Sequence, residues 1–183
     1  MTAFLRFKDV TCVRGGRLLF DTLDFELGAG EALQVVGPNG SGKSSLIRLA
    51  AGLLQPEAGT VEAGALAFAD DNLALDRELP LRGALQYWGG DVDSALRAMR
   101  LCELASLPVR LLSAGQAKRA SLARVIASGA PLWLLDEPAN ALDSQSRHDL
   151  ADAIAAHRAS GGAVLAASHM PMPGEWRTLE LDK

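Results

Sequence analysis

The chain of 183 residues is short of the features that mark several protein classes. It has only two cysteines, Cys12 and Cys102, far apart and in no Cys-x-x-Cys or metal-type spacing. That excludes a disulfide framework and a zinc module, and both thiols are expected to be reduced core residues of a cytosolic protein. A basic excess is missing as well. The formal net charge is −4, whereas a nucleic-acid binder shows a basic face. No window approaches 18 consecutive apolar residues, so the chain does not span a membrane by itself. Arg6, Lys8 and Asp9 interrupt the N-terminal stretch, and no secretory leader is expected. There is no internal repeat and no low-complexity linker. With 49% hydrophobic and 22% charged residues, the composition is that of one globular domain with a real core.

What the chain does have is concentrated in a few short runs. Residues 37–45, Gly-Pro-Asn-Gly-Ser-Gly-Lys-Ser-Ser, fit the phosphate-loop pattern Gly-x4-Gly-Lys-Ser/Thr. The run Ala32-Leu33-Gln34-Val35-Val36 before it reads as a buried strand, and Ser45 to Ala51 after it has helical spacing at Leu46, Ile47, Leu49 and Ala50. In that context Gly37, Pro38, Asn39, Gly40, Ser41 and Gly42 let the backbone fold back so that successive N–H groups point at one spot. The helix N-terminus adds free N–H groups and the positive end of its dipole. Lys43 is then placed between the β- and γ-phosphates, and the hydroxyl of Ser44 on Mg²⁺, with Ser45 next to it in the same turn. The pattern predicts a nucleoside-triphosphate site.

Around this loop the reading is mixed α and β. Residues 4–13 and 18–27 alternate as strands joined by the turn Gly15-Gly16, and Gly28-Ala29-Gly30 turns into the loop strand. From Leu73 to Leu112 strand signals fade, and a helix is expected with Asp93 as N-cap, through Leu96, Met99 and Arg100. Strand–helix alternation then returns. Trp133-Leu134-Leu135 and Ala163 to Ala167 read as buried parallel strands. Ser144 to Arg158 reads as a helix with Leu150, Ala153, Ile154 and His157 on one stripe, closed by Gly161-Gly162.

The apolar run Leu132 to Leu135 ends in Asp136 and Glu137. An Asp at such a strand end holds the Mg²⁺ shell in phosphoryl-transfer enzymes, and a neighbouring carboxylate can polarise the attacking water. Upstream lies Leu112-Ser113-Ala114-Gly115-Gln116, followed by Lys118, Arg119 and a helix through Ala127. This run resembles the Leu-Ser-Gly-Gly-Gln signature of the ATP-binding cassette (ABC) family, with only Ala114 departing. Asp136-Glu137-Pro138, Ala141-Leu142-Asp143 and Ser168-His169 resemble that family's second nucleotide motif, partner-facing loop and switch histidine, in the family's order.

The resemblance spans essentially the whole chain. It implies an α/β P-loop core (about residues 1–72 and 113–183) with an antiparallel N-terminal β-subdomain and a helical insert near 73–112, all one ATP-binding domain. It implies ATP and Mg²⁺ as ligands. Lys43, Glu137 and His169 take the catalytic roles, Glu137 as base and His169 against the γ-phosphate. Ser44 and Asp136 hold the metal. Ser113, Gly115 and Gln116 serve the nucleotide of an opposite subunit, so the chain must pair head to tail with a copy of itself or a homologue across Asp143. The family usually has an adenine-stacking aromatic where this chain reads Cys12-Val13-Arg14-Gly15-Gly16. Arg14 could stack there through its guanidinium, or be a solvated turn arginine. The family's metal-side Gln falls at Asp71, which keeps an oxygen but adds charge.

Within the family, Ala130 to Pro138, Glu31 to Val35 and Arg17 to Asp21 look like the branch that serves cytochrome c biogenesis. That implies docking on integral-membrane permease subunits of a haem-handling complex, at the cytoplasmic face of a bacterial inner membrane. A short-cassette exporter of lipoproteins or peptides is the alternative. A soluble ABC-type ATPase would need a coiled-coil insert or a second cassette. Replacing Lys43 by Ala removes the charge that neutralises the β/γ-phosphates. Tight ATP binding is therefore expected to vanish in calorimetry, and wild-type affinity in Lys43→Ala would show the loop assignment to be wrong.

Overall fold

The computed structural model describes residues 3–181. Strands β1 (Leu5–Arg14) and β2 (Arg17–Leu27) form a hairpin through Gly15-Gly16, both at positive φ, and β4 (Ala58–Ala63) pairs antiparallel on the other side of β1. The second sheet has five strands in the order β5-β6-β7-β3-β8, all parallel: β3 (Ala32–Val36), β5 (Leu66–Ala69), β6 (Leu132–Asp136), β7 (Ala163–Ala167) and β8 (Arg177–Glu180). Every residue of β6 and β7 is buried, which is why these strands read as continuous apolar runs rather than alternating ones.

Helix α1 (Lys43–Ala50) starts two residues earlier than its apolar spacing alone suggests, so Lys43 and Ser44 lie in its first turn. Leu46 and Ile47 are fully buried between the two sheets' cores, each contributing on the order of 1.5–3 kcal/mol. Between β5 and α4 (Ala114–Ala127) the chain forms α2 (Leu81–Gln86), α3 (Val92–Ala98) and two single turns of 3₁₀ helix. Leu81, Leu85, Leu96 and Met99 seal this part against α4. The cap of α3 is Asp91, not Asp93. The Asp91 carboxylate accepts from the Ser94 N–H at 2.9 Å, while Asp93 sits inside the first turn and pairs with Arg82. Cys12 is buried as expected, but Cys102 lies exposed on a 3₁₀ turn, and both are free thiols. Among the described residues no helix is long and apolar enough to cross a membrane.

Helix α5 (Ser144–Ala159), capped by Asp143, lays His157 flat on Trp133, with ring centroids 3.8 Å apart and planes within 9°. His157 Nε2 lies 3.2 Å from the Pro131 carbonyl, and a Cβ at Gly162 would come within 2.2 Å of the ring, so only glycine fits beside it. Burial pulls the His157 pKa below its ordinary value, with the carbonyl contacts opposing. The unfolded chain therefore takes up this proton before the folded one. Stability from His157 is complete above about pH 6.5 and is lost as pH falls through the folded value. In His157→Phe, which keeps a flat ring on Trp133, melting temperature should fall less between pH 7.5 and 5.5 than in wild type. Parallel curves would place the titration elsewhere.

Candidate functional site

Parallel pairing brings the ends of β3, β7 and β6 to one edge of the sheet, and the chain turns there three times. After β3 comes the loop Gly37–Gly42. Its glycines at 37, 40 and 42 have φ of 148°, 80° and 110°, a path that side-chain-bearing residues rarely follow. Gly42 is also tight. A Cβ there would meet Leu19 Cβ at 3.1 Å and the Phe20 ring at 3.3 Å. The hairpin thus props the loop from behind. Lys43 is buried and donates from Nζ to the carbonyls of Gly37 (2.8 Å) and Pro38 (3.1 Å), closing the loop over its own ammonium. Ser41 is 2% exposed, and its Oγ has no hydrogen-bond partner.

At the end of β6, Asp136 accepts from the Ser44 hydroxyl at 3.0 Å, joining this strand end to the first turn of α1. Burial pushes the Asp136 carboxyl above the usual carboxylate range. The Ser44 bond opposes that shift, and the neighbouring charges of Glu137 and Asp71 add to it. Glu137 has φ 46°, a left-handed conformation that costs a non-glycine residue about 1–2 kcal/mol. Its N–H donates to the Ala167 carbonyl at the end of β7, and its Oε2 lies 2.9 Å from His169 Nδ1. A cleft of about 400 Å³ is lined by Leu19, Asn39, Gly40, Gly42, Lys43, Ser44, Ser45 and Glu137.

A shallow cavity of similar size on the hairpin, flanked by Arg6 and Glu26, lies apart from these groups and contains none of them. An orphaned hydroxyl, a lysine curled onto its own loop, a serine–carboxylate pair and backbone N–H groups at a helix start suit a polyphosphate with a hard cation.

Not every expected residue is in this cleft. Arg14 is exposed at the end of β1 and does not line it, whereas Leu19 does. Asp71 pairs with Lys118 on α4 (3.2 Å) instead of touching Ser44 or Asp136, although its charge is felt at Asp136. Ser113 and Gln116 close a capping box on α4. Gln116 N–H donates to Ser113 Oγ at 3.4 Å, and Ser113 N–H donates to Gln116 Oε1 at 2.8 Å. Gly115 approaches the Ala141 carbonyl, and this face borders a separate cavity with Asp71, Lys118 and Asn140. Sequence reading missed Leu19 and Phe20, whose only signal was an apolar pair at a hairpin position that would otherwise be solvated. It also missed the Lys118–Asp71 pairing, which no local pattern reveals.

Fold and site together define a P-loop ATP-binding cassette of the ABC type. The ABC transporter family model matches residues 20–140. A cytochrome c biogenesis ATP-binding export protein, CcmA, of Sphingopyxis alaskensis is 55% identical over 94% of this chain and 93% of its own. The protein of the same name from Rhodospirillum rubrum is 48% identical over 91% of this chain and 81% of its own. A solved dimeric bacterial ABC transporter cassette, MJ0796, superposes with TM-score 0.85 at 20% identity, over 97% of this chain and 94% of that one. The chain belongs to the ABC transporter ATP-binding family and, within it, to the cytochrome c biogenesis ATP-binding export proteins. Membership makes it an ABC-type ATPase.

Proposed function

We propose that the chain hydrolyses ATP as one subunit of a membrane complex that handles haem for cytochrome c biogenesis, bound to the cytoplasmic face of a bacterial inner membrane. The reading is carried by the convergence of the phosphate loop, the Ser44–Asp136 pair and the Glu137–His169 pair at one sheet edge. The names of its relatives supply the setting. Residues 1–72 and 113–183 form the nucleotide core in this reading, and 73–112 the helical face.

Lys43 would exchange its two loop carbonyls for the β- and γ-phosphates, with backbone N–H groups of the loop (Pro38 has none) and the hydroxyls of Ser41 and Ser45 donating to the same oxygens. Ser44 and Asp136, with Asp71 as a further candidate, would be the hard oxygen donors for Mg²⁺, which would supply charge neutralisation at the phosphates. Glu137 takes the proton of the attacking water, a role worth about 10²–10⁴-fold in rate. His169, hydrogen-bonded to Glu137, reports the γ-phosphate. Arg14 is the candidate for stacking on the base.

Ser113, Gly115 and Gln116 do not line this chain's own cleft, and the N-terminus of α4 opens elsewhere. A second cassette, most simply a second copy, therefore supplies that donor set across Asp143. For the membrane subunit the chain offers a groove of about 430 Å³ between Leu53, Phe68 and Trp88. Tyr87 beside it is 84% exposed and Leu53 65% exposed, apolar surface of the kind a partner covers.

Glu137→Gln keeps the side chain's shape but cannot accept the proton. It should bind ATP, lose hydrolysis and accumulate as dimer with ATP and Mg²⁺. Light scattering that finds only monomer under those conditions would overturn the composite site. For the membrane assignment, wild-type protein is expected to co-purify in detergent with integral-membrane subunits and a haem absorption spectrum, and the double variant Tyr87→Asp, Trp88→Asp is expected to lose both at unchanged ATP affinity. Lipoprotein-export subunits without haem would favour the alternative exporter.

A further inference from the structure

Gln34 is the one polar residue inside β3, and it is 6% exposed. A buried amide is tolerated only when both ends are satisfied. Its partners are far away in sequence. Nε2 donates to the Met170 carbonyl at 2.8 Å, and Oε1 accepts from the Met172 N–H at 3.3 Å. One side chain thus offers both a donor and an acceptor, as a peptide group does, to the chain that follows the end of β7 at Ala167.

Both bonds lie on the C-terminal side of His169, and a backbone bond anchors its N-terminal side. On its N-terminal side, the Ser168 N–H donates to the Val35 carbonyl at 3.3 Å. On its C-terminal side, Met170 is held by Gln34 and by its own N–H to Ser168 Oγ at 3.1 Å. Between these anchors the His169 side chain is exposed and reaches Glu137. Gln34 lies three residues before Gly37, on the strand that launches the phosphate loop.

We infer that Gln34 is a positioning residue: its amide holds residues 170–172 so that His169 stays in register with Glu137 and with the phosphate loop. This rests on the proposed role of His169. Gln34 itself does not reach the cleft, so its loss acts on the rate step and leaves the phosphate cradle intact.

The test uses the full chain and compares wild type, Gln34→Met, Gln34→Glu, His169→Ala and the Gln34→Met, His169→Ala double variant. Met keeps the volume and removes both hydrogen bonds. Glu as a carboxylate keeps the acceptor for Met172 but sets a second acceptor oxygen against the Met170 carbonyl. For Gln34→Met we expect kcat to fall on the order of ten- to a hundredfold, as for a misplaced catalytic group, with KM for ATP within about twofold. Gln34→Glu should fall at least as far. Amide hydrogen exchange should rise in residues 168–173 while residues 37–45 keep wild-type protection. In single-turnover assays the double variant should be no slower than His169→Ala.

A drop in ATP affinity, faster exchange in the phosphate loop, or multiplicative losses in the double variant would make Gln34 a structural residue only and overturn the inference. If Gln34→Met fails to melt cooperatively, Gln34→Glu decides by the same readouts. His169→Ala turning over at the wild-type rate would instead sink the role of His169, whereas an impaired His169→Ala beside a fully active Gln34→Met sinks the Gln34 inference alone.

Discussion

Parallel pairing of β3, β7 and β6 is the constraint on which the site depends. Strands that run the same way end on the same side, so Val36, Ala167 and Asp136 release the chain at one edge. The hydrophobic interior fixes that order, because fully buried strands such as Leu132–Asp136 and Ala163–Ala167 cannot sit at a solvated edge. Once the order is set, the polar groups meet without long connections. The Ser44–Asp136 hydrogen bond spans the width of β7, and Glu137 N–H takes the last carbonyl of that same strand.

The cleft concentrates features that the rest of the molecule avoids. A left-handed glutamate, a carboxyl pushed upward by burial and an unpartnered buried hydroxyl lie within one turn of the strand ends. Each costs free energy in isolation. Such costs are kept where a ligand relieves them. In the proposed reading, phosphate oxygens would accept from Ser41 and Lys43, and a cation would favour the ionised form of Asp136. The site is built to be more comfortable filled.

How much of this was legible follows from where each signal resides. The phosphate loop, the Gly15-Gly16 hairpin, the apolar strands and the helix from Ser144 are local patterns, and chain neighbours decide them. Strands β4 and β8 were not read, because Ala58–Ala63 and Arg177–Glu180 are mostly exposed and carry no apolar alternation. Asp93 looked like the cap because it precedes an apolar run, but Asp91 won by offering its carboxylate to Ser94 one turn earlier. Cys102 was expected in the core because free cysteine usually is, and a surface 3₁₀ turn overrode that preference. Gln34 stood in plain view inside an apolar strand. What the sequence could not supply was the partner more than a hundred residues away.

The Lys118–Asp71 pair ties the loop after β5 to α4. The Lys118 side chain is 7% exposed and Asp71 is 80% exposed, so the ammonium carries most of the desolvation and the carboxylate little of it. Such a pair adds little net stability, since an exposed carboxylate is screened by water. Its effect is geometric. Asp70, Asp71 and Leu73 follow β5 and line one cavity with Lys118, which lies one turn into α4, the helix that Ser113 caps. Apolar packing of Ala120, Leu122 and Ala123 keeps α4 in place, so the ion pair only selects the loop conformation against it.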